Sequence, residues 1–241
     1  MNWHQRLIPL LLLALLLGAP LRAQEGRTEA RSGEDDTPTE NFRPVPSPDG
    51  CWEYRLLMQP GADGEPPAIA PVVVKAGTRK VALRLNTPWA NRFGESRGVR
   101  WSPDSRRLAY SYQSGGRYHT AELYQLRAGK WVALRSPEAP ETTRPLDRVQ
   151  DAQARKLGVP KGTPRQRRDV DWTIRRWVNA DTAELYVYSN YVVEVPKTGE
   201  TEALEADFLF TLRFDARGRW KIVRTHRLSV AEARRLDTGD K

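Results

Sequence analysis

The segment Arg167-Arg168-Asp169-Val170-Asp171-Trp172 sets two carboxylates at the i, i+2 spacing that places both on one face of a strand. Two carboxylates can work as acid and base on a glycosidic bond. They can also contribute oxygens to a cation, although calcium wants roughly six or more. Arg168 and Arg175 stand nearby, so ion pairing is the competing use of both acids. Around them runs KGTPRQRRDVDWTIRRW, Lys161 to Trp177, the densest polar stretch of the chain. A guanidinium fork holds phosphate, sulfate or carboxylate, and an indole face stacks on a sugar or a base. Arg167, Arg168, Trp172, Arg175, Arg176 and Trp177 are therefore the candidate ligand-binding residues. The alternative is that both tryptophans point into a sheet while the arginines stay solvated.

Other chemistry is sparse. Gly-x-Ser-x-Gly, His-Glu-x-x-His and a phosphate-binding glycine loop are missing from the sequence. His119, in GGRYHTAELY, falls at a hairpin, and His226, in VRTHRLS, near a strand end; both read as surface or boundary positions. No catalytic residue, metal or cofactor is expected from these motifs.

The elements that would position such residues begin after an N-terminal stretch with a different texture. Arg6 precedes an apolar run from Leu7 to Leu17, then Gly18, Pro20 and the small Ala23. This reads as a signal peptide, 1–23, because Gly18 and Pro20 break the run before the roughly 20 residues of a membrane span. The expected destination is the periplasm or the extracellular space, with no stable transmembrane anchor in the mature chain. Residues 24–41 carry six acids against Arg27 and Arg31 and no aromatic residue, so they are expected to form a disordered leader. The remainder is more basic than the overall net charge of +9 implies. An exported basic chain meets an envelope protein or an anionic polymer, or simply keeps a solvated basic surface. Cys51 is the only cysteine, so no intrachain disulfide forms, and a buried small hydrophobe is the expected role.

From Phe42 onward, short alternating runs of Val, Leu, Tyr and Trp are separated by Gly, Pro, Asn and Asp, which reads as all-β. VPSPDGCWEYRLL, VRWSPDSRRLAYSY and RRWVNADTAELYVYSN each give a polar turn followed by an alternating strand, and each precedes a second hairpin whose turn carries Gly77, Gly129 or Gly218. Ser47-Pro48-Asp49-Gly50 spells a type I turn, and Ser102-Pro103-Asp104-Ser105 keeps three of its four residues. One domain, 42–236, is expected, with units at about 43–86, 98–135 and 175–228, the last stretched by a polar loop from Pro196 to Glu205. A helix is expected at about 144–158, and a short final helix over Leu228 to Leu236 after the Ser229/Glu232 capping-box pair.

WSPDSRRLAYSY resembles the strand-turn-strand motif of TolB-type β-propeller blades, relatives of WD-repeat blades. The resemblance implies repeated antiparallel four-stranded sheets and a binding role rather than chemistry. Three units fall short of the roughly four to eight blades of a closed propeller. A partial array is expected, with edges that must be covered, paired or blunted by charge. The leading functional expectation is a non-enzymatic exported scaffold or binding protein; the alternatives are a small exported hydrolase, and a binder of anionic polysaccharide or nucleic acid through the Arg/Trp stretch.

Overall fold

Two copies of the Ser-Pro-Asp turn share one hydrogen-bond pattern. Ser47 Oγ donates to Asp49 Oδ1 (2.6 Å) and accepts from Trp52 N (3.0 Å), while Asp49 Oδ1 also accepts from Cys51 N (2.9 Å). Ser102 Oγ donates to Asp104 Oδ1 (2.6 Å) and accepts from Arg107 N (2.8 Å), and Arg106 N donates to Asp104 Oδ1 (3.2 Å). Gly50 takes the left-handed conformation in the first turn (φ 67°), and Ser105 takes it in the second (φ 57°). The turns also touch, with Asp49 N donating to Ser105 Oγ at 2.9 Å. Cys51, at the tip of the first turn, is exposed. The expected burial of its thiol is overturned because the turn needs this residue's amide for Asp49, which holds it at the surface.

These turns open two four-stranded antiparallel units in a computed structural model that describes residues 43–59, 68–86 and 96–238. The expected signal peptide and acidic leader lie outside the described residues. The first sheet runs in the order β1 (Val45–Pro46), β2 (Trp52–Gln59), β3 (Ala68–Lys75), β4 (Val81–Arg84). The second unit comprises β5 (Ser96–Trp101), β6 (Arg107–Gly115), β7 (Tyr118–Arg127) and β8 (Lys130–Ala133). Leu108, Tyr110 and Tyr112 share one face of β6 and pack with Tyr54, Val73 and Trp131 in a core that links the two units.

The third set of strands departs from the blade pattern. β9 (Gln166–Asn179), β10 (Thr182–Glu194) and β11 (Thr201–Phe214) are 14, 13 and 14 residues long, followed by β12 (Trp220–Arg227). Its first strand starts at Gln166, ahead of the expected Arg175, and a two-residue hairpin joins β9 to β10, with Asp181 N on Asn179 Oδ1 (3.0 Å). The polar loop expected from Pro196 to Glu205 is shorter, because Thr201 to Glu205 belong to β11. Leu204, Ala206 and Phe208 alternate inward there while Glu205 and Asp207 take the other side, a period of two that the charges disguise.

Nor is this set a separate blade. A short parallel link, Tyr118↔Val170 and His119↔Asp171, joins β7 to β9, giving an eight-stranded sheet in the order β12-β11-β10-β9-β7-β6-β5 with β8 beside β7. Ala121 and Leu123 of β7 share a core with Trp172, Ile174, Leu185 and Phe210 of the long strands. Helix α1 (Pro140–Lys156) contributes Leu146 to the same core. It begins four residues ahead of Arg144, since Thr142 Oγ1 accepts from Ala139 N (3.2 Å) and donates to Pro137 O (2.7 Å), fixing the first turn upstream of Pro145. Gln150, 1% exposed, donates to Ser189 O and Leu204 O, both at 3.1 Å, and pins α1 to β10 and β11. Helix α2 (Val230–Thr238) starts with the expected capping box: Ser229 N donates to Glu232 Oε2 (2.8 Å) and Glu232 N to Ser229 Oγ (3.3 Å). The described chain is thus all-β, an array of antiparallel blade-like sheets without closure, carrying one inserted helix and a short C-terminal one.

Candidate ligand cleft

The long strands present two unlike faces. Even-numbered residues of β9, such as Trp172 and Ile174, point with Leu185 and Val187 of β10 into the core under α1. The opposite face is polar, and register fixes its rows, because directly opposed residues of an antiparallel pair face the same way. Tyr188 opposes Asp171 on one side and Asp207 on the other; Asn190 opposes Asp169 and Glu205. His119 joins the first of these rows through the parallel link to Asp171. Helix α2 roofs part of this face, and Arg175 Nη2 ties it down by donating to Leu236 O (2.5 Å).

A cleft of about 540 Å³ results, within the size range of small-molecule sites. Asp169, Asp171, Glu205 and Asp207 line it with Tyr186 and Tyr188, while Gln113, Arg117 and His119 come from the β6–β7 hairpin and Arg234 from α2. Neighbours already orient several carboxylates. Tyr186 OH donates to Asp207 Oδ1 (2.7 Å), Tyr188 OH to Glu205 Oε1 (3.2 Å) and Thr173 Oγ1 to Asp171 Oδ1 (2.5 Å). Burial, then the charge of Glu205, pushes the Tyr188 hydroxyl up to about 12, so it stays a donor throughout the physiological range. Asp171 and Tyr186 are each 6% exposed, and that low exposure strengthens their electrostatic interactions with whatever enters. Four carboxylates against two arginines make the lining net acidic within a basic chain. Among the described residues, no group of three or more His, Cys, Asp or Glu is placed to hold a metal ion. The arrangement suits hydrogen-bond donation from hydroxyl or ammonium groups of a ligand, with the partly exposed Tyr188 beside the carboxylates.

The six residues singled out from the Arg/Trp stretch are all on β9 but do not form one surface. Trp172 is 4% exposed in the core. Trp177 packs against Phe214 and donates from Nε1 to Arg100 O (3.0 Å). Arg176 pairs with Glu184 (2.7 Å), and Arg167 stacks on Tyr118 and Tyr191 while donating to Tyr191 OH (3.1 Å). Arg175 holds α2, and Arg168 is exposed beside a second, shallower cleft near Thr201. Asp169, Asp171 and His119 do meet in the cleft, whereas His226 caps α2 through Glu232 (3.1 Å). Tyr186, Tyr188, Glu205 and Asp207 were not among the candidates. Their signal is the alternation in LYVYSN and LEADF, visible only once both stretches are assigned to strands that share a face.

No family model matches the chain, and no curated protein matches it. Among solved structures, TolB from Acinetobacter baumannii is similar with a TM-score of 0.26 and 10% identity, over 78% of this chain and 43% of that one. This chain therefore spans less than half the length of that protein.

Proposed function

We propose that this is a non-enzymatic binding protein, exported to the periplasm or beyond, that holds a neutral or amino-bearing glycan in the cleft between the polar sheet face and α2. One observation carries the reading: carboxylate and tyrosine rows, oriented by their own neighbours, stand on a sheet whose other face is fixed in a core. Sugar hydroxyls need acceptors held in place and a ring to lie against, and this lining supplies both. An anionic glycan would meet like charge there. The remaining strands then act as the rigid frame that holds the rows in register.

The test is a thermal-shift series with neutral chito-oligosaccharide, chitosan oligomer and heparin oligosaccharide. Ligand at about 100 times its Kd stabilises the folded state by about 2.7 kcal/mol. The neutral or cationic oligomer is expected to raise the melting temperature in the native chain and not in Asp169→Asn. Stabilisation by heparin alone would overturn the reading and favour the arginines of β9. A second reading, a small hydrolase, draws on the His119–Asp171 register pair, since an imidazole beside a carboxylate can act as a general base. Sustained turnover that is lost in His119→Ala and in Asp171→Asn would establish it.

A further inference from the structure

The eight-stranded sheet ends differently on its two sides. At β5, side chains fill the edge: Arg100 Nε donates to Arg175 O (3.2 Å) and Trp177 Nε1 donates to Arg100 O (3.0 Å). At the other end, β12 pairs with β11 alone, and no strand among the described residues lies beyond it. Its sequence, WKIVRTHR, contains no acid, and Lys221, Val223, Arg224, Thr225 and Arg227 are exposed. Lys221, Arg224 and Arg227 make no ion pair among the described residues, and neither does Arg213, which lies opposite Lys221.

An open row of backbone donors and acceptors is a template for another strand. The cations decide which strand. A second copy of β12 would bring like charges together, whereas an acidic strand would be steered in and paired. A register shift at Val223 interrupts the edge, leaving Arg224–Arg227 as the stretch in unbroken register with Phe208–Thr211. We propose that the outer edge of β12, centred on Arg224–Arg227, takes an acidic extended segment of a partner protein as an added strand. This edge shares no residue with the cleft lining, although its His226 pairs with Glu232 of α2.

The probe is a fluorescein-labelled peptide of alternating Glu and Val, titrated into the full chain by fluorescence anisotropy. Three controls accompany it: the peptide N-methylated along one backbone edge, an alternating Lys-Val peptide, and a single-stranded oligonucleotide as competitor. The Glu-Val peptide is expected to bind, and to bind at least about tenfold more weakly when N-methylated or when offered to Arg224→Glu/Arg227→Glu. Hydrogen exchange on the native chain is expected to slow at 224–227 when the peptide is present, a readout that needs no variant. Asp169→Asn should bind the peptide as the native chain does. The proposal fails if the peptide does not bind or if the N-methylated form binds equally. It also fails if the Lys-Val peptide substitutes for it, or if the oligonucleotide displaces it at equal charge concentration, which would make the edge a polyanion surface.

Discussion

Ser102 is fully buried, and its hydroxyl serves the Asp104 carboxylate and the Arg107 amide together. Removing it leaves a buried N–H and a carboxylate short of partners, so Ser102→Ala is expected to cost about 1–3 kcal/mol in urea unfolding. Arg107, 6% exposed, sends Nη1 to Ala180 O (2.6 Å) and Nη2 to Asp215 O (3.3 Å) over the Phe214 ring. Burial pulls its pKa below the ordinary arginine value, yet the fork still bridges two turns of the long strands. A lysine cannot reproduce that fork, so Arg107→Lys is expected to lose about 1–3 kcal/mol despite keeping the charge. Glycines discriminate further. Gly77 (φ +68°) has open space around a Cβ, whereas at Gly218 (φ +70°) a Cβ would lie 2.6 Å from Leu134 Cδ2. Gly77→Ala should therefore cost only the left-handed strain, about 1–2 kcal/mol, and Gly218→Ala more, measured by thermal unfolding. The serine turns were legible from their spelling because their bonds span only a few residues. Arg107 was not, since its acceptors lie 73 and 108 residues away.

At the scale of elements, α2 is the roof of the cleft, and its attachment is sensitive to acid. Two donations from Ser229, through its backbone N–H and its hydroxyl, together with His226, lower the Glu232 carboxyl from 4.5 to about 2. A depressed folded-state pKa contributes stability that is complete above the unfolded value of 4.5 and is lost as pH falls toward 2. Proteolysis of α2 is thus expected to accelerate across that window, and Glu232→Gln to remove the pH dependence while leaving the helix weaker at neutral pH. The capping box itself was legible, as was the all-β alternation from Phe42 on. The β11 strand was masked by Glu202, Glu205 and Asp207, which imitate a loop until Leu204, Ala206 and Phe208 are seen to face α1 and the core. Helix α1 similarly hid its first turn behind Pro145, because the bonds of Thr142 that hold it involve Pro137 and Ala139 outside the periodic pattern.

For the whole molecule, repetition explains only the first two units. The third set of strands outgrew the blade pattern once β7 linked to β9 and α1 covered one of its faces, leaving the other face polar. No local pattern encodes that link, which joins residues about fifty positions apart through two register pairs. The cleft inherits this illegibility, because its acids come from β9 and β11 and its histidine from β7. What the sequence did show was Asp169 and Asp171 on one strand face, and that face is the one that lines the cleft. The most direct test is amide chemical-shift mapping during titration with the chitosan oligomer. Perturbations are expected to gather at 113–119, 169–173, 186–190 and 205–207, with α2 shifting as well. Perturbations confined to β12, or spread over the solvated arginines of β9, would contradict binding in the cleft.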